Sequence, residues 1–250
     1  MSRKKIAIQL SGHIRNFDLI QQFHEYVDKH YKDSEYDIDW FASCWIHEEY
    51  TLSSTDIWAD YEEIDFNSTA TYPRFGENNE KYTYLIQRVN LLRNKYEREN
   101  KVKYDMVLWT RIDITLHIDV LDKVFKDNHL NERTLYVPGS IQANKVGPAY
   151  YYSLNDNGAY ALPWVMDIYA NMFLYGYCDK EFNKFPCSHA MNPFFMISNT
   201  LLARGCPFEY SLVREMHRGK IKMIIKNEGI DKWMSKYHKL RKDDEIIPEE

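Results

Sequence analysis

The sequence predicts an α/β fold with a mostly parallel central sheet flanked by helices. Three observations predict it. The chain opens on an apolar run, an amphipathic helix and a second apolar run: KKIAIQL (4–10), NFDLIQQFHEYVDKHY (16–31) and YDIDWFASCW (36–45). That order is the start of a parallel βαβ unit. A long helix over 79–99 then leads into a third apolar run, YDMVLW (104–109). Each run stops abruptly at polar, small or charged residues, as a core strand does when its end meets a ligand or solvent.

The elements follow in order. KKIAIQL is bounded by a turn signal, SGH, and reads as a buried first strand. In 16–31, Phe17, Ile20, Phe23, Val27 and Tyr31 recur at helical spacing. Residues 46–78 carry SSTD and YPRFGENN and read as a long irregular connection. In 79–99, Tyr82, Leu85, Ile86, Val89, Leu92 and Tyr96 form one apolar stripe. TLHI, past the third strand, reads as its continuation, LDKVFKD (121–127) as a short helix, and TLYVPG (134–139) as a strand closed by Pro-Gly. A helix is predicted over 157–175, beginning near Pro163, and another over 192–205, with Asn192 as its cap and Gly205 past its end. FEYSLV and KIKMII are late strands, and the tail is a basic, exposed amphipathic helix. No internal repeat or linker divides the chain, so a single domain is expected.

Composition narrows the function classes. The 250 residues suffice for one large domain. A net charge of −5 argues against a nucleic-acid binder driven by a basic field. Twenty tyrosines and six tryptophans suit either a sugar- or base-binding cleft or an aromatic core and rim. The apolar stretch after MSRKK is shorter than the roughly 7–15 residues of a signal core, and no run reaches the ~18 of a spanning helix. Cys44, Cys178, Cys187 and Cys206 show no CxxC spacing, which points to reduced thiols in a cytosolic setting.

Three motifs each follow an expected strand, and open α/β sheets bind ligands at the carboxyl ends of their strands. In QLSGHIR, the turn at Ser11 and Gly12 with Arg15 is either a phosphate-binding turn or an ordinary strand-to-helix connection. It is neither a GxGxxG fingerprint nor a Walker A loop. In WFASCWIHE, Ser43, Trp45 and His47 lie just past the second strand, and Trp45 is either a stacking platform for a base or a core residue. In WTRID, Arg111 and Asp113 are two apart, so an extended chain projects both to one side. They serve either a ligand, through cation or phosphate contacts, or each other as a capping ion pair. Asp156, in SLNDNGAY, is either a helix cap or a contact to a sugar hydroxyl. His189, in FPCSHAMNPF, is either an acid–base group or a structural histidine.

IAIQLSGHIRNF, the strand ending near SCW, and KYTYLIQRVNLLRNKYERENKVKYDMVLWTRIDITL together resemble a group of viral and bacterial GT-A-type glycosyltransferases. Those proteins share an LSGxxR start and a YDxVxxxRxD strand, and LNDNGAYALPWVMDIYANMF is similar to their downstream segment. The resemblance spans roughly residues 4–205 and is most specific at 11–15 and 104–114.

The resemblance implies a Rossmann-like GT-A fold and a transferase moving a sugar from a nucleotide-sugar donor to an acceptor hydroxyl in glycan or polysaccharide synthesis. It implies a nucleotide-binding half over about 1–118, an acceptor-side half over about 119–226 and a helical tail over 227–250. The expected site is cytoplasmic, in the host cytoplasm for a viral chain, with no nucleic acid and no membrane span. Ser11, Gly12 and Arg15 would form the nucleotide-facing turn, flanked by Ser43 and Trp45. Gln87 would face the nucleotide from the long helix, and Arg88 would either do the same or be a solvated charge. Arg111 and Asp113 would address diphosphate, metal or donor sugar. Asp156, as general base if the enzyme inverts, and His189 would stand on the acceptor side, and the sequence does not choose between inversion and retention. The family's acidic motif is usually Asp-x-Asp and holds Mn²⁺ or Mg²⁺. Here its first position is Arg111, so either Asp113 binds the cation with waters or Arg111 replaces part of its charge. A non-catalytic nucleotide- or carbohydrate-binding relative of the same fold is the alternative.

Overall fold

The computed structural model describes residues 3–14, 17–46, 49–65, 78–116, 118–126, 130, 134–138, 142–146, 149–153, 158–171, 202–206, 210–215 and 222–224. Strand β1 (Lys4–His13) leads through helix α1 (Phe17–Tyr31) to β2 (Tyr36–Trp45). A 3-10 turn (Leu52–Ser54) precedes β3 (Asp60–Ile64), and α2 (Asn78–Asn100) leads to β4 (Met106–Arg111). Then follow β5 (Ile114–Leu116), α3 (Ile118–Phe125), β6 (Thr134–Pro138), β7 (Gln142–Val146), β8 (Ala149–Ser153) and β9 (Gly158–Ala161). Helix α4 (Pro163–Ala170), β10 (Leu202–Cys206), β11 (Tyr210–Glu215) and β12 (Lys222–Ile224) complete the described elements.

The main sheet has seven strands in the order β10-β6-β9-β4-β1-β2-β3. The pairs β4–β1, β1–β2, β2–β3 and β10–β6 are parallel, and β9 runs antiparallel to both β4 and β6. The fold is thus mixed α/β with a mostly parallel sheet. Its chain starts in the middle of the sheet, moves outward through β2 and β3, and returns through α2 to place β4 on the other side of β1. The strand order reverses between β1 and β4, and ligands of open α/β sheets usually lie in the crevice outside the carboxyl ends of the strands at such a point.

The two faces of the sheet are covered separately. Ile6, Ile8, Leu10, Ala42 and Leu108 pack with Ile20, Phe23 and Val27 of α1 and with Leu121, Val124 and Phe125 of α3. Ala7, Phe41, Val107 and Trp109 pack with Ile86 and Val89 of α2 and with Val165, Met166 and Tyr169 of α4. Each large apolar side chain buried this way contributes about 1.5–3 kcal/mol. The apolar spacing of α1 therefore has its physical cause in the sheet face beneath it. Asp18 in its first turn and Lys29 and His30 in its last turn suit the helix dipole. Helix α2 ends with Lys101 in the left-handed region, φ 54°, while the Val102 amide donates to the Glu97 carbonyl at 3.1 Å. That is the Schellman closure, with a lysine where glycine is the commonest residue.

Several expectations are corrected. The segment 46–78 is not wholly irregular, since Asp60–Ile64 adds β3 beside β2. Its sequence, DYEEI, hides the strand because among the described residues β3 pairs on one side only and buries little. The helix expected to begin near Pro163 does begin there, but residues 158–161 before it, for which no strand is expected, form β9, and all four are buried between β4 and β6. Tertiary pairing overrides the weak local preference of Gly-Ala-Tyr-Ala. The helix after them runs only from Pro163 to Ala170. Residues 202–206, expected as the end of a helix, form β10 beside β6; the rest of that expected helix and the tail lie outside the described residues. ITL does not continue β4: the chain turns at Ile112 and Asp113, and β5 joins β11 in a three-stranded sheet with β12. The antiparallel pair β7–β8 has no counterpart in the sequence reading.

Candidate functional site

Four strand ends stand in one row. Ser11 of β1 is level with Arg111 of β4 and with Ser43 of β2, and Ser43 is level with Glu62 of β3. Residues in register on parallel strands point to the same face, here the face that carries α2. With about 4.8 Å between neighbouring strands, the row spans about 14 Å. Gly12 follows Ser11 with φ +134°, a conformation that side chains disfavour. The Ile112 amide donates to the Ser11 carbonyl at 2.9 Å, and a Cβ on Gly12 would lie 3.6 Å from Ile112 Cγ2. The β1 end is therefore closely packed against the β4 end.

At the β4 end, Arg111 and Asp113 form a bidentate pair. Arg111 Nε donates to Asp113 Oδ1 at 2.8 Å and Nη2 donates to Oδ2 at 2.6 Å. The Asp113 side chain is 4% exposed and that of Arg111 25%. A fork-to-fork pair fixes the guanidinium plane as well as its position. The capping-pair alternative of the sequence reading is thus realised in the geometry, at the rim of the crevice.

At the other end of the row stands a second bidentate pair. Arg88 Nε donates to Glu62 Oε1 at 2.9 Å and Nη2 donates to Oε2 at 2.6 Å. Ser43 Oγ also donates to Glu62 Oε1, at 2.9 Å. Arg88 is therefore not an unattached helix charge. Glu62 was missed because its strand was read as loop; a carboxylate level with Ser43 becomes visible only through the β2–β3 register.

Four expected ligand contacts, Ser11, Ser43, Trp45 and Gln87, are buried. Ser11 is buried, and its hydroxyl accepts from Trp109 Nε1 at 2.9 Å. That bond satisfies the indole of a fully buried tryptophan, so the Ser11 side chain ties β1 to β4. Trp45 is 3% exposed, packed with Leu85 and stacked against Tyr84 with ring centroids 6.0 Å apart. The half-buried Tyr84 and the exposed His13, whose ring lies 6.4 Å from Trp45, stand beside it. Gln87 is buried on the sheet-facing side of α2. Arg15, Asp156 and His189 lie outside the described residues, as does His47.

Beneath the rim runs a buried polar network. Gln9 Nε2 donates to Asn90 Oδ1 at 3.2 Å, and Arg93 Nη2 donates to the same oxygen at 3.0 Å. Asp167 Oδ1 accepts from Asn90, Asn94 and Arg93, and Glu97 accepts from Arg93 Nη1 at 2.6 Å. The Arg93 side chain has no exposed surface. These bonds join the middle of β1, helix α2 and helix α4, and so hold the site's two α2-face walls together.

The fit to a divalent cation can be judged from the donor set. Such ions take several oxygen ligands. Among the described residues no group of three or more His, Cys, Asp or Glu comes together to hold one. At Asp113 both oxygens already accept from a guanidinium, and a cation there would sit against that like charge. The described residues do not fit a metal at Asp113. Among the described residues, no helix is long and apolar enough to cross a membrane.

No protein-family model matches the chain, and no curated protein matches it. Solved structures similar to it are glycosyltransferases. One is a glycosyltransferase involved in the glycosylation of the major capsid of PBCV-1, at 13% identity and a TM-score of 0.43, covering 80% of this chain and 81% of that one. Another is the galactosyltransferase LgtC in complex with donor and acceptor sugar analogues, at 10% identity and 0.41, covering 80% and 72%. A third is GlyE of Streptococcus pneumoniae TIGR4, at 12% identity and 0.40, covering 82% of this chain and 45% of that one. The α/β class of this chain stands on the strand order and registers given above.

Proposed function

We propose that the chain transfers a sugar from a nucleotide-sugar donor to an acceptor hydroxyl. One observation carries the reading: the Arg111–Asp113 pair stands at the carboxyl end of β4, at the reversal of strand order, beside the Gly12 turn of β1. The reaction breaks the bond between the anomeric carbon and the diphosphate, which leaves with the electron pair. It forms a bond from that carbon to the acceptor oxygen, whose proton must be taken up. Arg111 donates to the departing diphosphate, and Asp113 holds the guanidinium in the required plane. Gly12 lets the backbone approach the phosphates, and Arg15 adds a second positive charge to the same turn.

Asp156 is the proposed proton acceptor if the enzyme inverts. It lies two positions before Gly158 in the sequence, and Gly158 is paired with Thr110, the neighbour of Arg111. His189 is assigned to the acceptor side with it. Residues 1–118 then build the donor half and 119–226 the acceptor half.

The alternative is a binding relative without turnover, favoured by the same pair, because both oxygens of Asp113 are engaged. Thermal-shift measurements with nucleoside diphosphates and nucleotide sugars, paired with a turnover assay, separate the two. Stabilisation by these ligands with sugar transfer supports the enzyme. Stabilisation without turnover selects the alternative, and no stabilisation rejects both.

A further inference from the structure

The reading just given assigns the diphosphate to the Arg111 end of the row and leaves the other end, about 14 Å away across three strand spacings, without a role. That end is built. Glu62 receives three donors from two elements: Ser43 Oγ on β2, and Nε and Nη2 of Arg88 on α2. Its carboxylate is 16% exposed, whereas Arg88 remains 37% exposed although two of its nitrogens are committed. With the diphosphate at the Arg111 end, the part of the same nucleotide that reaches this end is its base. The pair is planar and held at both oxygens, which fixes the orientation of the guanidinium before any ligand arrives. Tyr84, four residues before Arg88 on α2, and His13, at the end of β1, both lie against Trp45 at the end of β2.

We propose that Glu62 is a positioning residue that presents Arg88 to the base of the donor nucleotide. This rests on the nucleotide-sugar reading above. A guanidinium only donates hydrogen bonds, so the base it reads must offer acceptors. Uracil and guanine, with carbonyl oxygens on their edges, meet that requirement better than adenine, whose edge carries an amino group. Ser43 supports the arrangement from beneath by donating to the same carboxylate oxygen as Arg88 Nε.

Calorimetric titration with UDP, GDP, CDP and ADP tests the assignment in the wild type, Arg88→Ala, Glu62→Gln and the double variant. Glu62→Gln keeps the shape of the side chain, and its melting temperature serves as the control for folding. The wild type binds UDP or GDP more tightly than ADP. Each single variant loses about tenfold in affinity for the preferred nucleotide and narrows the spread among bases, and the double variant loses no more than the worse single one. Equal weakening for all four bases, additive losses in the double variant, or a lowered melting temperature with unchanged affinity would each overturn the role of Glu62 while leaving nucleotide binding intact. A wild type that binds all bases alike overturns it as well. A wild type that binds none of the four overturns the nucleotide reading itself, and this inference with it.

Discussion

Arg111 and Asp113, two residues apart in sequence, close on each other through two parallel hydrogen bonds at the carboxyl end of β4. The pair reverses the usual logic of an acidic motif. The aspartate's oxygens face a protein cation, and on the proposed function this cation takes the place of part of a metal's charge. Asp113→Ala should lower transfer at least a hundredfold while the melting temperature moves by only a few degrees, because Arg111 loses the group that fixes its plane. Steady-state kinetics beside a melting curve checks this; near-normal transfer would remove Asp113 from the site.

Arg111→Asp restores an Asp-x-Asp arrangement and removes the cation from the rim. Transfer by this variant should depend on added Mn²⁺ or Mg²⁺ more steeply than transfer by the wild type. A titration of each protein with metal after chelation makes the comparison, and identical metal responses would show that Arg111 does not stand in for metal charge.

Gly12 has a backbone conformation that a side chain disfavours, and its carbon faces Ile112. Gly12→Ala should cost at least about 1 kcal/mol of stability. On the proposed function, in which this turn lets the backbone approach the phosphates, it should also weaken nucleotide binding. Denaturant unfolding measures the first effect and ligand titration the second.

The buried network makes a stability prediction. Asp167→Ala leaves the fully buried Arg93 with one carboxylate partner fewer. Losing one member of such a pair costs about 3–5 kcal/mol when both are buried. Asp167 is more than a third exposed, so the loss should fall near the lower end. Replacing Arg93 by Met and Asp167 by Leu together should cost much less than the single change. Urea unfolding of the wild type and the two variants gives the numbers.

His24 gives a pH dependence. It lies edge-on to Trp40, and burial lowers its pKa from the ordinary 6.5, against the smaller opposing effects of Asp28 and Glu25. Below about pH 6.5 the unfolded chain therefore takes up a proton more readily than the folded one, and stability falls as pH drops through the lowered folded value. His24→Gln should flatten this part of the curve. Melting temperatures of both proteins from pH 7.5 to pH 5 provide the check.

Much of the architecture of the first half of the chain was legible because its signals are local. The apolar runs of β1, β2 and β4 and the stripes of α1 and α2 each follow from one face being buried, and the bounds of β2 were read residue for residue. What was missed depends on partners distant in the chain. Asp60–Ile64 is polar and becomes a strand because β2 offers a free edge. Gly158–Ala161 becomes a strand because β4 and β6 enclose it. The site divides in the same way. Gly12, Arg111 and Asp113 stood out as a turn and charges at strand ends. Trp45 was read toward a ligand because nothing local reveals that Tyr84, 39 positions further along the chain, covers it. Glu62 could not be paired with Arg88 before the register of β3 was known.

The central claim is tested most directly by incubating the purified chain with a panel of nucleotide sugars and hydroxyl acceptors, with a chelator present, and measuring released nucleoside diphosphate and glycosylated acceptor together. The account predicts equal amounts of both from a donor carrying uracil or guanine, and loss of both in Asp113→Ala. Binding of the donor without either product, from every donor and acceptor and with or without added metal, would contradict it.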